Sequence, residues 1–384
     1  MDERRARLAV RHRLALGAQA RNPLEAAQSM VVLHSTDAPT VFLSVWARTK
    51  RFEVADLEQA LYDDRSLVRM LAMRRTLWVV PRELVAVVHA AASRAVAARE
   101  RRRLEDAASR TAEDDRRWVD EVEAAALEAV AERGEAFTAD VTRDSPLLAT
   151  KITLGSGRWQ LEASVASRIL PLLAAEGLVA RGRPRTTWVN GVYRWTPMES
   201  WLGAPIERLE LHEAQAALVR RWLAAFGPAT ETDLRWWTGW TAGETRAALA
   251  ATPHATVELD GGATGLVLAE DLEPTEAPKP WVALLPGLDP TTMGWKQRDW
   301  YVGPHERLLF DTNGNAGPTV WCDGRAVGGW SQRKDGEIAF RLLEDVGGEA
   351  VAAIAREADR LATWLGDVRF SPSFLPPFQR ELTT

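Results

Sequence analysis

Several kinds of residue are scarce in this chain of 384 residues, and each shortage excludes a class of protein. Cys322 is the only cysteine, so one chain can form neither a disulfide framework nor a zinc site built from cysteines. No apolar run approaches the length that spans a bilayer, and the N-terminal residues do not form a signal peptide. We therefore expect a cytoplasmic protein with no membrane partner, no cofactor and no bound metal.

Lysine is also scarce, because the chain has 5 Lys against 43 Arg. The net charge of −5 is unevenly distributed. Residues 1–200 carry 31 Lys and Arg against 27 Asp and Glu, a net charge of +4, whereas residues 201–384 carry 17 against 26, a net charge of −9. The planar guanidinium of arginine matches phosphate oxygens and stacks on bases. The N-terminal excess is compatible with nucleic-acid binding but does not require it.

The arrangement of helical and strand patterns predicts an α+β fold that is mostly helical. With 46% hydrophobic residues, the chain can bury a core shared by two to four compact units. Three successive segments read as short helices followed by a β-hairpin, a pattern typical of winged-helix units. The last segment reads as short strands and a closing helix, which predicts a small antiparallel β-sheet or barrel. The predicted boundaries are 1–80 and 81–205 for the first two winged-helix units, 206–272 for the third and 273–384 for the C-terminal domain.

Three elements are predicted around candidate core and contact residues. Residues 74–80 are predicted to form a strand of the first unit, with Leu77 and Trp78 in its core together with Trp46. Residues 161–176 are predicted to form one helix of the second unit. Residues 178–181 and 187–195 are predicted to form a hairpin with its tip at 182–186.

A polar corner lies between two predicted helices near the N-terminus. Asn22-Pro23 predicts a helix that runs through Met30, and the sequence Asp37-Ala38-Pro39 predicts the start of the next one. The residues between these helices include four consecutive polar side chains: His34, Ser35, Thr36 and Asp37. Two apolar helices would hold such a corner firmly, as a binding or catalytic site requires. The same residues also suit a simple helix break, because Ser, Thr and Asp readily bond the backbone.

Five arginines are candidates for DNA contacts. The hairpin predicted at the end of the second unit carries Arg181, Arg183 and Arg185 beside Gly and Pro, which suits entry into a groove or contact with phosphates. Arg74 and Arg75 open the predicted strand of the first unit. The hairpin of the third unit has acidic residues instead, so we expect it to lie away from DNA.

Four segments of the chain resemble a known family. They are Trp46–Arg48 at the end of the second corner helix, Met73–Pro81, Leu284–Trp295 and Val320–Trp330. In content and order they resemble the bacterial winged-helix family that includes the AlkZ/YcaQ-type DNA glycosylases, over nearly the whole chain. The resemblance implies tandem winged helices and a C-terminal β-barrel folded into a C-shape around duplex DNA. It also implies release of alkylated purines or unhooking of interstrand crosslinks. We expect a monomer.

The resemblance places the family's catalytic motif at the polar corner. The family's glycosylases carry Gln–apolar–Gln or Gln–apolar–Asp there, which positions a water near the alkylated nucleotide; in this chain His34-Ser35-Thr36 stands at that triplet and Asp37 follows. An N7-alkylated purine is already a good leaving group, so the protein must mainly orient water and stabilise an oxocarbenium-like sugar. His34 would accept from the water, Thr36 would hold it and Asp37 would stabilise the positive charge.

Because both glutamines are replaced, two other functions remain open. The first is a DNA-binding protein that has altered or lost catalysis. The second is a small-molecule sensor or drug-binding protein, in which the His34 corner would line a pocket. Aromatic residues that lie close together in the sequence are compatible with it (Trp236, Trp237 and Trp240), but a packed core explains them more readily. Strong salt dependence would indicate DNA binding rather than small-molecule binding.

Overall fold

The computed structural model of the chain describes residues 2–109, 115–154 and 160–383. It has a mixed α/β fold, rich in helices and with small antiparallel sheets, which confirms the predicted fold class at this level. The chain forms two compact units: the first unit is Met1–Leu57 with Ala216–Thr384, and the second unit is Glu58–Gln215. The finer division into four segments remains a prediction. None of the helices in the described ranges is long and apolar enough to cross a membrane.

The α-helices and β-strands follow one another in short elements. The helices are α1 (Glu3–Arg11), α2 (Pro23–Ser29), α3 (Ala38–Arg48), α4 (Val54–Glu58), α5 (Val85–Val88), α6 (Arg94–Ala108), α7 (Asp115–Arg133), α8 (Thr138–Asp144), α9 (Pro146–Ala149), α10 (Ala166–Ala175), α11 (Met198–Leu202), α12 (Leu211–Phe226), α13 (Glu231–Thr238), α14 (Ala242–Ala250), α15 (Asp299–Val302), α16 (Glu306–Leu309), α17 (Gly348–Leu365) and α18 (Pro377–Arg380). The strands are β1 (Leu33–His34), β2 (Leu67–Ala72), β3 (Thr76–Pro81), β4 (Lys151–Leu154), β5 (Leu161–Ser164), β6 (Val179–Pro184), β7 (Tyr193–Pro197), β8 (His254–Glu258), β9 (Thr264–Leu268), β10 (Val282–Leu285), β11 (Thr319–Cys322), β12 (Arg325–Gln332) and β13 (Ile338–Leu342). Segments Gln59–Asp63 and His89–Ser93 are π-helical.

The two helices that flank the polar corner begin where the sequence predicts. The Asn22 side chain caps α2 by accepting a hydrogen bond from the Glu25 N–H at 2.9 Å, and Pro23 occupies the first turn. Helix α2 ends at Ser29, one residue earlier than predicted, and α3 has Pro39 in its first turn. All residues of α3 except Ala47 are buried, so α3 is a core helix of the first unit that holds the corner firmly.

A buried ion pair joins α3 to the segment that follows β10. The side chains of Arg48 and Asp289 are both fully buried, and the guanidinium contacts both carboxylate oxygens, at 2.7 and 2.8 Å. Arg48 also donates to the Thr291 hydroxyl at 2.7 Å, and Asp289 accepts from the Ser44 hydroxyl at 2.7 Å. Burial, reinforced by the nearby Arg48 cation, lowers the pKa of His12 to about 3, so its neutral ring can accept from Thr291 at 2.9 Å. Two of the four family-like segments therefore meet in a structural network.

Strand β3 of the second unit begins two residues later than predicted, at Thr76. The register runs from Leu67 opposite Pro81 to Ala72 opposite Thr76, so residues 74 and 75 lie in the turn and not in a strand. Trp78 is buried as predicted, but Leu77 is only half-buried, because successive side chains of a strand point to opposite faces. The prediction that Leu77 is a core residue was therefore wrong.

Two other predictions for the second unit need correction. Residues 161–164 form strand β5, paired with β4, and α10 begins only at Ala166, because antiparallel pairing with the preceding strand overrides helix propensity. The predicted hairpin exists as β6 and β7, but the register shifts between Arg181 and Pro184, which extends β6 through the predicted tip. The connection between the strands is therefore residues 185–192.

The C-terminal sheet agrees with its prediction. Strands β10 to β13 form a four-stranded antiparallel sheet in chain order, and α17 packs against β10 and β13.

Helices α13 and α14 are followed by the β8–β9 hairpin, as predicted. Trp237 is buried and packs against Trp222 and Phe226, with ring centroids 6.4 and 6.2 Å away. This packing supports a core role for Trp237 and not a ligand pocket.

Candidate functional site

The polar corner begins with a strained backbone. Val31 is buried and has a φ of 65°, in the left-handed region. A β-branched residue there is an outlier that carries roughly 1–3 kcal/mol of strain. Such strain occurs most often at functional sites, where the surrounding packing maintains it. Val31 lies three residues before His34, and the buried helix α3 follows on the other side of the corner.

The three candidate catalytic side chains have different exposures. His34 ends strand β1 and is 5% exposed, whereas Thr36 is exposed to solvent. Asp37 is 9% exposed and lies directly before α3. The corner therefore presents a hydroxyl to solvent beside an almost enclosed carboxylate and an almost enclosed imidazole.

The Asp37 carboxylate binds a residue that the sequence did not indicate. Asp37 occupies the N-cap position of α3, yet its side chain makes no capping hydrogen bond. Instead, one carboxylate oxygen accepts from the Ser373 hydroxyl at 2.8 Å and the other from the Ser373 N–H at 3.3 Å. Ser373 lies 336 residues further along the chain, in a loop rich in Ser and Pro, so no local pattern could have identified it.

Burial and hydrogen bonding act in opposite directions on Asp37. Removal from water raises the pKa of the Asp37 carboxyl group, because burial disfavours the charged form. The two hydrogen bonds from Ser373 stabilise the carboxylate and limit that rise. The ionised form is thus held in one orientation, ready to interact with a cation.

Arg74 and Arg75 form the exposed turn between β2 and β3. Both have a positive φ, 57° and 59°, in the left-handed region, and both are exposed. The Arg75 guanidinium forms an ion pair with Glu100 at 2.8 Å.

The three hairpin arginines have different surroundings. Arg181 stacks on Trp195, with the guanidinium carbon 4.5 Å from the ring centroid, and burial lowers the pKa of Arg181 to about 10. Arg183 contacts both carboxylate oxygens of Asp63 at 2.8 Å. Arg185 is exposed and lies 4.6 Å above the Phe137 ring; within the described parts of the chain it forms no ion pair. Arg185 is thus the best placed of the three to meet a phosphate.

The five arginines do not form one cluster. Arg75 and Arg181 line the same cavity of the second unit, whereas Arg74, Arg183 and Arg185 are not part of its lining. As for metals, residues 2–109, 115–154 and 160–383 contain no group of three or more His, Cys, Asp or Glu side chains arranged to hold an ion.

Comparisons with known proteins agree with this architecture. The family model for AlkZ-like DNA glycosylases matches residues 27–364. The solved structure of the Streptomyces sahachiroi DNA glycosylase AlkZ is similar, with a TM-score of 0.71 and 20% sequence identity. The similarity covers 97% of this chain and 98% of that one, and at such an identity it shows the fold alone. No curated protein sequence matches the chain.

Proposed function

Because the chain belongs to the AlkZ-like DNA glycosylase family, we propose that it is a monofunctional glycosylase that releases N7-alkylated purines from duplex DNA or unhooks crosslinks at such bases. The observation that carries this proposal is the geometry of Asp37. Its carboxylate is almost enclosed, is oriented by two hydrogen bonds from Ser373 and lies next to an exposed hydroxyl. A fixed anion in a site of low polarity stabilises a developing cation far better than a solvated one.

The reaction needs little from the protein besides this anion. When the bond between the sugar C1′ and the alkylated base breaks, its electron pair goes to the base, which loses its positive charge. The sugar becomes an oxocarbenium-like cation, which ionised Asp37 stabilises. Water adds to C1′ and gives up a proton; Thr36 holds this water at the exposed side of the corner, and His34 accepts from it. The corner offers no lysine for a covalent intermediate, so hydrolysis is the step we propose.

DNA binding is assigned to winged-helix elements. Helices α13 and α14 followed by the β8–β9 hairpin have the order of a winged-helix unit, which supports a tandem arrangement along the chain. Phosphate contacts are assigned first to Arg74, Arg75 and Arg185, which are exposed, although Arg75 is also paired with Glu100. Arg183 and Arg181 are secondary candidates, because both are only half-exposed.

Base release from a defined duplex tests the proposal. Purified protein is incubated with a duplex that contains one N7-methylguanine, and free base and abasic sites are measured. We expect release of 7-methylguanine from this duplex and none from an unmodified duplex. Binding of the duplex without release of the base would instead support a DNA-binding protein without catalysis. The replacement of both family glutamines, by His34 and Thr36, favours this second function.

We expect Ser373→Ala to change the pH dependence of base release. The substitution removes the hydroxyl that donates to Asp37 at 2.8 Å and leaves the backbone N–H at 3.3 Å. With one bond fewer to its charged form, Asp37 has a higher pKa, so the acidic limb of the rate profile moves to higher pH. Well above that limb, the rate should change only a few-fold.

Ser371→Ala is the matched control, since Ser371 is an exposed serine of the same loop. It should leave the profile unchanged. If Ser373→Ala lowered the rate equally at every pH, Ser373 would have only a structural role.

Replacing Arg74, Arg75 and Arg185 together with Ala should weaken duplex binding. Each lost phosphate contact reduces the slope of log K against log salt by about 0.9, so the slope should flatten by up to about 3. The control removes three exposed arginines that lie outside the β2–β3 and β6–β7 hairpins: Arg117, Arg143 and Arg341. If both triple variants lost the same affinity for duplex DNA, the effect would come from net charge alone, and the two hairpins would not be the binding site.

A further inference from the structure

A cavity of about 660 Å³ lies within the second unit, away from the polar corner in sequence. Its lining comes from β2, the turn after β2, α6, β4, β5, α10 and β6. The apolar part of the lining includes Leu71, Leu104, Leu154 and Leu172. This volume is in the range of small-molecule sites, which are mostly apolar with a few well-placed polar groups.

The other part of the lining carries an excess of positive charge. Arg75 and Arg103 both form ion pairs with Glu100, at 2.8 and 2.6 Å, so one carboxylate is shared between two cations. Arg168 and Arg181 complete the set of four cations, and Asp106 is the second acid of the lining. Four cations against two carboxylates leave the cavity with a net charge of +2.

Two of these arginines have unused donors inside the protein. The Nε of Arg168 and the Nη1 of Arg181 are buried, and neither has a hydrogen-bond acceptor among the residues that the structure describes. Neither side chain forms an ion pair within the same residues, and stacking on Trp195 fixes the plane of the Arg181 guanidinium. A buried donor without an acceptor destabilises a protein, so native proteins rarely keep two in one place without a function.

From these observations we propose that the cavity binds a small amphiphilic organic anion, whose acidic group contacts Arg168 and Arg181 and whose apolar body packs against the leucines. Guanidinium groups bind carboxylate, sulfonate and phosphate oxygens through charge-assisted hydrogen bonds. The apolar lining excludes a bare inorganic ion as the preferred ligand, since burying apolar surface adds to the affinity. The cavity contains none of the proposed catalytic residues, although Arg75 and Arg181 of its lining are also candidates for DNA contacts.

Binding of 8-anilinonaphthalene-1-sulfonate, an apolar anion that becomes fluorescent in apolar sites, tests the proposal on the full chain. Arg168→Gln should weaken its binding about tenfold or more, because a charge-assisted hydrogen bond is lost. Arg102→Gln, an exposed arginine on the same helix as Arg103, makes the same change in charge outside the cavity and should bind as the wild type does. Leu161→Ser, at an exposed apolar position of the lining, should also weaken binding.

Competitors identify the chemistry of the ligand. Decanoate should displace the probe, whereas 1-decanol at the same concentration should displace much less of it. Equal binding of the probe to wild type, Arg168→Gln and Leu161→Ser would overturn the assignment to this cavity. Displacement by inorganic phosphate as effective as that by decanoate would overturn the amphiphilic class, and stoichiometric displacement by a short duplex would assign the cavity to the DNA interface instead.

Discussion

Asp289→Ala should destabilise the first unit by about 3–5 kcal/mol, which is a large fraction of the stability of a typical protein. The change leaves the Arg48 guanidinium fully buried without its carboxylate. It also removes the acceptor of the Ser44 hydroxyl and of the Thr291 N–H, which Asp289 binds at 2.7 and 2.8 Å. Chemical denaturation of the purified protein measures the loss.

Two further variants separate the buried charge from simple loss of contacts. In Arg48→Met with Asp289→Asn, no charge is buried. The Asn oxygen can still accept from the Thr291 N–H, and the Asn amide can donate to the Ser44 hydroxyl oxygen. Because apolar replacement of a buried pair is often neutral, this double variant should recover most of the lost stability. Glu121→Ala, which removes the acid of an exposed ion pair with Arg117, should change stability little. A loss below about 1 kcal/mol for Asp289→Ala would show that water reaches Arg48.

Local signals in the sequence were sufficient to predict where the two helices that flank the candidate site begin. Asn22-Pro23 and Pro39 act within one helical turn, so the starts of α2 and α3 could be read from neighbouring residues alone. The same holds for α13, whose Thr230 cap and Asp233 form a capping box.

What the sequence did not reveal depends on strand pairing and on contacts between distant residues. The strand at residues 161–164 exists because it pairs with the preceding strand β4, and the tip of the arginine hairpin moved because β6 and β7 pair with an irregular register. The Asp37–Ser373 contact joins the corner to the C-terminal loop, and the Arg48–Asp289 pair joins α3 to the segment after β10. None of these partners is marked by spacing, since folding alone brings them together.

Asp37→Asn should slow base release on the order of a hundredfold or more, because the variant keeps the shape of the side chain and loses its charge. The substitution should not destabilise the fold. The Asp37 side chain makes no capping bond in α3 that could be lost, and an Asn oxygen can still accept from the Ser373 hydroxyl. The rate of the wild type should fall as the pH decreases through the pKa of Asp37, which burial places above the ordinary value of 3.8.

The effect of the same substitution on stability has the opposite sign. A raised pKa means that the folded protein holds the Asp37 proton more tightly than the unfolded chain does. Ionised Asp37 therefore reduces stability, and this reduction develops as the pH rises from 3.8 to the higher pKa of the folded state. Above that range Asp37→Asn should unfold with an equal or higher free energy than wild type, while Asp367→Asn, at an exposed position, should leave both rate and stability unchanged. Loss of stability and activity together would indicate a structural carboxylate, and base release at the wild-type rate would remove Asp37 from the reaction.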